Sequence, residues 1–160
     1  MRAVVNVRQL EVNPLELKDQ LTLEELDIDP LDELIHVHHP LQYDIEVEKV
    51  EHGLLAQGRL EMVLDCDCSR CLKSYAHPVV IEDWACHLLF EGEESVPVIN
   101  DVVDLTPYLR EDIVLAFPQR PLCEPECKGL SRPDQDIPTE SSQEAEVASS
   151  AWAELNKLKL

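Results

Sequence analysis

Two short-spaced cysteine pairs constrain this chain more than any other feature of its sequence. The first pair is Cys68-Ser-Arg-Cys71, and the second is Cys123-Glu-Pro-Glu-Cys127. Cysteines separated by two or three residues can turn both sulfurs toward one ion, and structural zinc sites are commonly built from two such pairs. We therefore predict one structural zinc site with four thiolate ligands, Cys68, Cys71, Cys123 and Cys127. The alternative is four reduced cysteines that are buried separately.

The gap between the two pairs is far longer than in a zinc finger, so the intervening chain must fold back to close the site. Thr106–Phe117 predicts a helix, with Thr106 as the N-cap and Pro107 in the first turn. Apolar residues at helical spacing, such as Leu109 and Ile113, should cover a sheet. The helix would then return the second pair to the first. Cys66 stands two residues before Cys68 and remains open as an alternative ligand.

Alternation of apolar and polar residues predicts an antiparallel sheet. Gly58 interrupts one of its strands as a bulge, and Pro78 precedes the last long strand. The predicted strands are Ala3–Leu10, Leu31–Pro40, Gln42–Val50, Leu54–Leu64, Val79–Phe90 and the short Val98–Val103. We predict an α+β domain over residues 1–130, in which one main helix packs on an antiparallel β-sheet and zinc-stapled loops lie at one end.

The composition changes after residue 130. Residues 131–143 are polar and contain Pro133 and Pro138, which predicts a flexible linker. Residues 144–160 carry an apolar stripe at helical spacing and predict an amphipathic helix. Trp152 would anchor this helix, either on the domain or on a partner.

The charge of the chain restricts its partners. The formal net charge is −20, which opposes non-specific binding to nucleic acid or to anionic lipid. No apolar run is long enough for a membrane span, and the first residues lack the core of a signal peptide. We therefore expect a cytoplasmic protein. Its six cysteines, in a reducing compartment, indicate metal binding or free thiols rather than disulfides.

Positive residues nevertheless flank both cysteine pairs. If one ion unites the pairs, these residues would share a small surface that can contact RNA phosphates or an acidic partner. The alternative is that they compensate the charge of the thiolates. The flanking residues are Arg70, Lys73, Arg120, Lys128 and Arg132.

Three histidines, His36, His38 and His39, form a second group of metal-binding side chains. No carboxylate or cysteine at the usual spacing completes a site with them, so we expect exposed or partly buried histidines.

No catalytic motif accompanies these residues. The sequence lacks a phosphate-binding glycine loop, a Gly-x-Ser-x-Gly motif and a His-Glu-x-x-His motif. An alternative is a thiol oxidoreductase that uses Cys68 and Cys71. Such enzymes need a thiolate at a helix N-terminus, whereas only a short turn fits between Cys71 and Pro78. We therefore predict that the protein is not an enzyme.

Three motifs occur in order along the chain: Cys68-Ser-Arg-Cys71-Leu, Asp104-Leu-Thr-Pro-Tyr-Leu-Arg-Glu-Asp-Ile and the cysteine-rich stretch from Pro118 to Gly129. Together they resemble the YceD family, the bacterial large-subunit ribosomal RNA accumulation proteins. A tail like Ala151-Trp-Ala-Glu-Leu is also common in that family. Many members continue with a further Cys-x-x-Cys-Gly, which is absent here, so either the four cysteines complete the site alone or the site does not exist.

The resemblance implies a non-enzymatic accessory factor for accumulation or processing of 23S ribosomal RNA, or for ribosome assembly. Its implied partner is a ribosomal protein or an rRNA-processing factor, and the acidic charge favours a basic protein. Direct contact with rRNA remains open, and neither a membrane nor a small-molecule substrate is expected. The alternative is a zinc-dependent interaction module that binds basic proteins unrelated to ribosomes.

Overall fold

The structure is a computed structural model that describes residues 2–28, 32–93 and 95–130. The chain divides into two units, Met1–Leu130 and Ser131–Leu160, and the description below concerns the first. The predicted linker, the predicted C-terminal helix, Arg132 and Trp152 lie outside the described residues.

The fold is α+β and consists mainly of antiparallel strands. The helices are α1 (Leu23–Leu26) and α2 (Thr106–Leu115), with a 3-10 turn at Gln9–Glu11. The strands are β1 (Val4–Asn6), β2 (Leu15–Leu21), β3 (Ile35–His36), β4 (Leu41–Val50), β5 (Gly53–Asp67), β6 (Ser74–Leu89) and β7 (Val102–Asp104).

Strand β5 is the centre of the main sheet. Strand β4 pairs with its first part, from Gly53 to Glu61, and β3 pairs with Asp65 and Cys66 near its end. Strand β6 pairs with β5 over its whole length, and β2 lies outside β4. Strands β1 and β7 form a separate antiparallel pair. The long β5–β6 hairpin therefore carries the chain to one end of the sheet.

The core lies on one face of this sheet. In β4 every second residue from Leu41 to Val47 is buried, and between them lie exposed polar residues such as Asp44. This is the period-two pattern from which the strand was predicted. Gly58 interrupts the β5–β6 register as predicted, and its φ of 154° lies outside the region that L-residues favour.

Helix α2 covers the buried face of the sheet with Leu109 and Ile113, which are fully buried. The indole Nε1 of Trp84 on β6 donates a 2.6 Å hydrogen bond to Asp112 Oδ2 on α2. The predicted helix is therefore present, but it ends at Leu115 rather than Phe117.

The expectation that Thr106 caps this helix was wrong. Leu105 is the N-cap residue, and the Thr106 hydroxyl accepts a 3.1 Å hydrogen bond from the backbone N–H of Ala3. The hydroxyl instead joins the start of the chain to α2. A contact between residues so distant in sequence leaves no local signal.

Three strand predictions also differ from the structure. The predicted first strand is only three residues long because a 3-10 turn replaces its second half. Strand β2 was not predicted, since only Leu21 of its seven residues is fully buried. Strand β6 begins at Ser74 and runs through Pro78. Among the described residues β6 pairs only with β5, and a proline is tolerated on such an edge strand.

Candidate metal centre

The first cysteine pair lies in the turn of the β5–β6 hairpin. Asp67 and Ser74 close the hairpin as its last paired residues. Beyond them the Cys68 N–H donates to Lys73 O at 3.0 Å, and the Leu72 N–H donates to Cys68 O at 2.9 Å. The turn thus holds Cys68 and Cys71 on a tight reversal of the chain, as the two-residue spacing predicts.

Leu72 completes this turn in a conformation that is unfavourable for leucine. Its φ is +59°, in the left-handed region where an L-residue costs about 1–2 kcal/mol. Its side chain is 62% exposed, so no apolar burial offsets this cost. The surrounding turn must therefore enforce the conformation.

The second cysteine pair lies in an irregular segment after α2. Pro121 is buried, and its carbonyl oxygen accepts a 2.9 Å hydrogen bond from the Ser69 N–H of the first turn. The Arg70 Nη1 donates to Cys127 O at 2.8 Å. These two hydrogen bonds join the second cysteine loop, Cys123–Cys127, to the turn that holds the first pair.

The four sulfurs converge on one point. Cys68 Sγ lies 3.8 Å from Cys127 Sγ, and Cys71 Sγ lies 3.6 Å from Cys123 Sγ. All four sulfurs lie within 4.8 Å of one another, and all four cysteines are free thiols. They are close enough to hold a metal ion. Each contact joins one cysteine of the first pair to one of the second.

The electrostatics of the centre favour one thiolate over the others. Backbone N–H groups, first that of Cys123 and then those of Cys71 and Arg70, donate hydrogen bonds that lower the pKa of Cys68 to about 6. Burial and the neighbouring thiols raise the pKa of Cys123. A metal cation favours deprotonation of every ligand, because only the thiolate binds it well.

Cys66 is not part of this sulfur group. It lies in the core on β5, between Ile35 of β3 and Tyr75 of β6 in the strand register. Burial raises the pKa of its thiol. Cys66 is therefore a core residue, and the described four-sulfur group is complete without it.

The predicted cationic residues lie on the same two loops. Arg70 and Lys73 belong to the first turn, Arg120 and Lys128 flank the second cysteine pair, and all four are exposed. Of these, Arg70 has a structural role through its hydrogen bond to Cys127 O.

Sequence reasoning missed the carboxylates that face the histidine group. His38 Nδ1 lies 2.8 Å from Asp65 Oδ2, and His36 Nε2 lies 3.2 Å from Asp67 Oδ2. His39 Nε2 is 3.7 Å from Asp65 Oδ2. Both aspartates project from the end of β5, far from the histidines in sequence. Only the pairing of β3 with β5 brings them together.

The sequence of the chain matches a known family over residues 56–159. The family is described as "Large ribosomal RNA subunit accumulation protein YceD". The chain belongs to this family. The match includes α2 and both cysteine pairs, and so all four residues of the sulfur group. The family description names an accumulation protein and no catalytic activity.

Similar proteins occur in mycobacteria. They are "Uncharacterized protein Rv2926c" and "Uncharacterized protein MT2996" from Mycobacterium tuberculosis strains, and "Uncharacterized protein Mb2951c" from Mycobacterium bovis. Each is 28% identical over 125 residues, which cover 72% of this chain and 60% of the relative. The chain thus spans about three fifths of these relatives. No solved structure matches the chain. In residues 2–28, 32–93 and 95–130, no helix has the length and apolar character needed to cross a bilayer.

Proposed function

We propose that this YceD-family protein is a zinc-containing, non-enzymatic accessory factor for accumulation of 23S ribosomal RNA in the cytoplasm. The observation that carries the proposal is the convergence of the two cysteine pairs, because the matched family region forms one closed four-sulfur centre there. A closed centre leaves no position for a substrate or an activated water. Such a centre instead stabilises the conformation of the two cysteine loops.

Zinc fits the sulfur geometry best. Zinc–thiolate bonds of about 2.3 Å in a tetrahedron place the sulfurs about 3.8 Å apart. The contacts between the two pairs are 3.8 and 3.6 Å. Four thiolates favour zinc or an iron–sulfur centre over hard cations. Sulfurs this close to one another suit a single ion, since a cluster would hold its ligands farther apart.

The charge distribution favours a basic protein as the partner. Four exposed cations lie on the loops of the centre, but the exposed Glu124 and Glu126 lie between the second pair of cysteines. Phosphate binding depends on uncompensated Lys and Arg. With a net charge of −20 as well, the protein would attract a basic ribosomal protein or processing factor more readily than bare RNA.

A complementation experiment tests the proposal. Cells depleted of the protein should show altered levels of precursor and mature 23S rRNA, and the wild-type chain should restore them. A Cys71→Ser/Cys123→Ser variant should fail, because two of the four ligands are lost. The matched control is Cys86→Ser, which replaces a thiol outside the centre. Unchanged 23S rRNA levels on depletion would refute the ribosomal role.

The partner is identified by affinity capture from lysate, with and without ribonuclease. Ribosomal proteins that survive ribonuclease would support capture of a basic protein. Large-subunit RNA that disappears on ribonuclease treatment would indicate RNA contact, which Arg120→Glu and Lys128→Glu should weaken. Recovery of other basic proteins alone would favour the second candidate, a zinc-dependent interaction module unrelated to ribosomes.

The lowered pKa of Cys68 is the one observation that favours a thiol oxidoreductase. Three further sulfurs surround this thiol, however, and Cys68 itself has no exposed surface. A disulfide substrate therefore has no approach to it. Insulin reduction that is lost in Cys68→Ser would support the enzyme instead.

A further inference from the structure

The outer face of the sheet carries a second group of metal-binding side chains, separate from the cysteines. It consists of His36, His38 and His39, in and after β3, and of Asp65 and Asp67 at the end of β5. We refer to these five residues as the histidine–aspartate cluster. They include half of the six histidines in the chain. The four-sulfur centre does not use them.

Asp65 is the centre of this cluster. Its Oδ2 atom lies 2.8 Å from His38 Nδ1 and 3.7 Å from His39 Nε2. In a tetrahedral zinc site with bonds of about 2.0–2.1 Å, neighbouring ligand atoms are about 3.3 Å apart. The two separations bracket that value. The two nitrogens are each close to Asp65 but have not converged on one point, so both exposed rings would have to rotate toward each other to surround an ion together with the oxygen.

A chain of contacts holds one of these rings in place. Ser74 Oγ donates a 2.5 Å hydrogen bond to Asp67 Oδ1, and Asp67 Oδ2 lies 3.2 Å from His36 Nε2. The His36 ring then stacks on the His38 ring, with centroids 6.1 Å apart and planes inclined by 12°. Metal-binding histidines are commonly oriented by such neighbouring groups. His36 is thus a positioning residue for His38.

The chemistry of the donors defines the ligand. Imidazole nitrogens with one carboxylate suit borderline divalent cations such as zinc, nickel and copper, and they suit calcium and magnesium poorly. The side chains of His38, His39 and Asp65 are 66%, 52% and 42% exposed. The ion would keep a coordination position open to water. The negative charges of Asp65 and Asp67, on a chain of net charge −20, favour a dication.

We propose that His38, His39 and Asp65 form a second, solvent-open site for a borderline divalent cation, which closes around the ion when it binds. The alternative is a set of ion pairs that fasten the segment after β3 to β5. That alternative needs no metal. The two explanations differ in the number of ions that the protein binds.

Zinc itself is the probe for the test. The full chain is first loaded to one zinc per chain, dialysed at pH 7.5 against buffered micromolar free zinc, and analysed for bound metal. Wild-type protein should bind a second zinc. His38→Gln/His39→Gln should bind only one. The matched control His52→Gln/His87→Gln removes two exposed histidines outside the cluster and should still bind two.

Two further variants test the roles of Asp65 and His36 separately. Asp65→Asn should also lose the second zinc. If His38→Gln/His39→Gln misfolds and loses the first zinc as well, the Asp65→Asn variant becomes the test of the second site. His36→Gln should weaken the second site about tenfold, as expected for a positioning residue, without changing the first. The proposal is overturned if the wild-type protein stops at one zinc, or if the control variant loses the second zinc as readily as the cluster variant.

Discussion

Removal of the metal should release the second cysteine loop while the sheet stays folded. The segment from Pro118 to Lys128 contains no helix or strand. Apart from the sulfurs, it is fastened to the first turn by the hydrogen bonds from Ser69 to Pro121 and from Arg70 to Cys127. The sheet, in contrast, is held by continuous backbone pairing between β4, β5 and β6.

The free energies involved indicate what the proposed zinc ion would contribute to the loop. Fixing the backbone of roughly ten loop residues costs about 10 kcal/mol or more. The two hydrogen bonds that fasten the loop contribute only about 2 kcal/mol of stability. Structural zinc binding contributes about 10–16 kcal/mol, which is enough to offset the part of the ordering cost that the hydrogen bonds do not. With free zinc at about 100 times its dissociation constant, opening of the loop should be suppressed about 100-fold relative to the metal-free protein.

Amide hydrogen exchange with and without a chelator measures this effect. The Ser69 and Cys127 N–H groups bond to Pro121 O and Glu124 O, so both should exchange about 100-fold faster once zinc is removed. Amides within the β4–β5 and β5–β6 ladders should keep their protection. Cys123→Ser should resemble the chelated protein. Unchanged exchange at Ser69 and Cys127, or equal loss of protection across the sheet, would refute the reasoning.

Three other predictions concern the sheet, its helix and the thiols. Gly58→Ala should destabilise the domain by about 3 kcal/mol in urea unfolding, since its Cβ would lie 2.1 Å from a backbone oxygen of β4; a loss below about 1 kcal/mol would contradict this. Trp84→Phe should cost about 2 kcal/mol because it removes a hydrogen bond to the Asp112 carboxylate, and the same unfolding assay in an Asp112→Ala background should show a much smaller effect. In the metal-free protein the pKa values of Cys123 and Cys127 are both raised. Burial and the neighbouring thiols raise the pKa of Cys123, and for Cys127 a hydrogen bond from the Gly129 backbone, which lowers the pKa, is outweighed by burial and by the Cys71 and Cys68 thiols. Both thiols hold protons at neutral pH that zinc must displace, so zinc affinity should fall at least ~100-fold per unit as the pH drops below 7; chelator competition at two pH values measures it, and a pH-independent affinity would argue against thiolate ligands.

The elements that were predicted correctly are those whose burial follows a local period. Strand β4 alternates between the core and solvent, and in β5 every second residue from Leu60 to Cys66 is buried. Strand β2 lies at the edge of the sheet, where Lys18 and Asp19 are exposed, so its sequence carries little alternation. The position of Pro78 suggested a strand boundary, but an unpaired edge accepts a residue without an N–H.

The convergence of the four cysteines was predictable because cysteine spacing is itself a local signal. The contacts around the centre were not, since they join residues far apart in the chain. The hydrogen bond from Ser69 to Pro121 and the association of His38 with Asp65 both depend on which strands pair. Similarly, the sequence indicated that Arg70 is a positive residue beside the first cysteine pair. Its hydrogen bond to Cys127 O was not predictable, because it forms only when the two loops lie together.

The most direct test of the central claim is X-ray absorption at the zinc edge, on protein purified at low free zinc so that only the tightest site is filled. The account predicts one zinc per chain, coordinated by four sulfurs at about 2.3 Å. Cys86→Ser should give the same spectrum, and Cys123→Ser should lose a sulfur from the coordination shell or lose the zinc. A chain without bound zinc, or a shell made of nitrogen and oxygen, would contradict the four-cysteine centre.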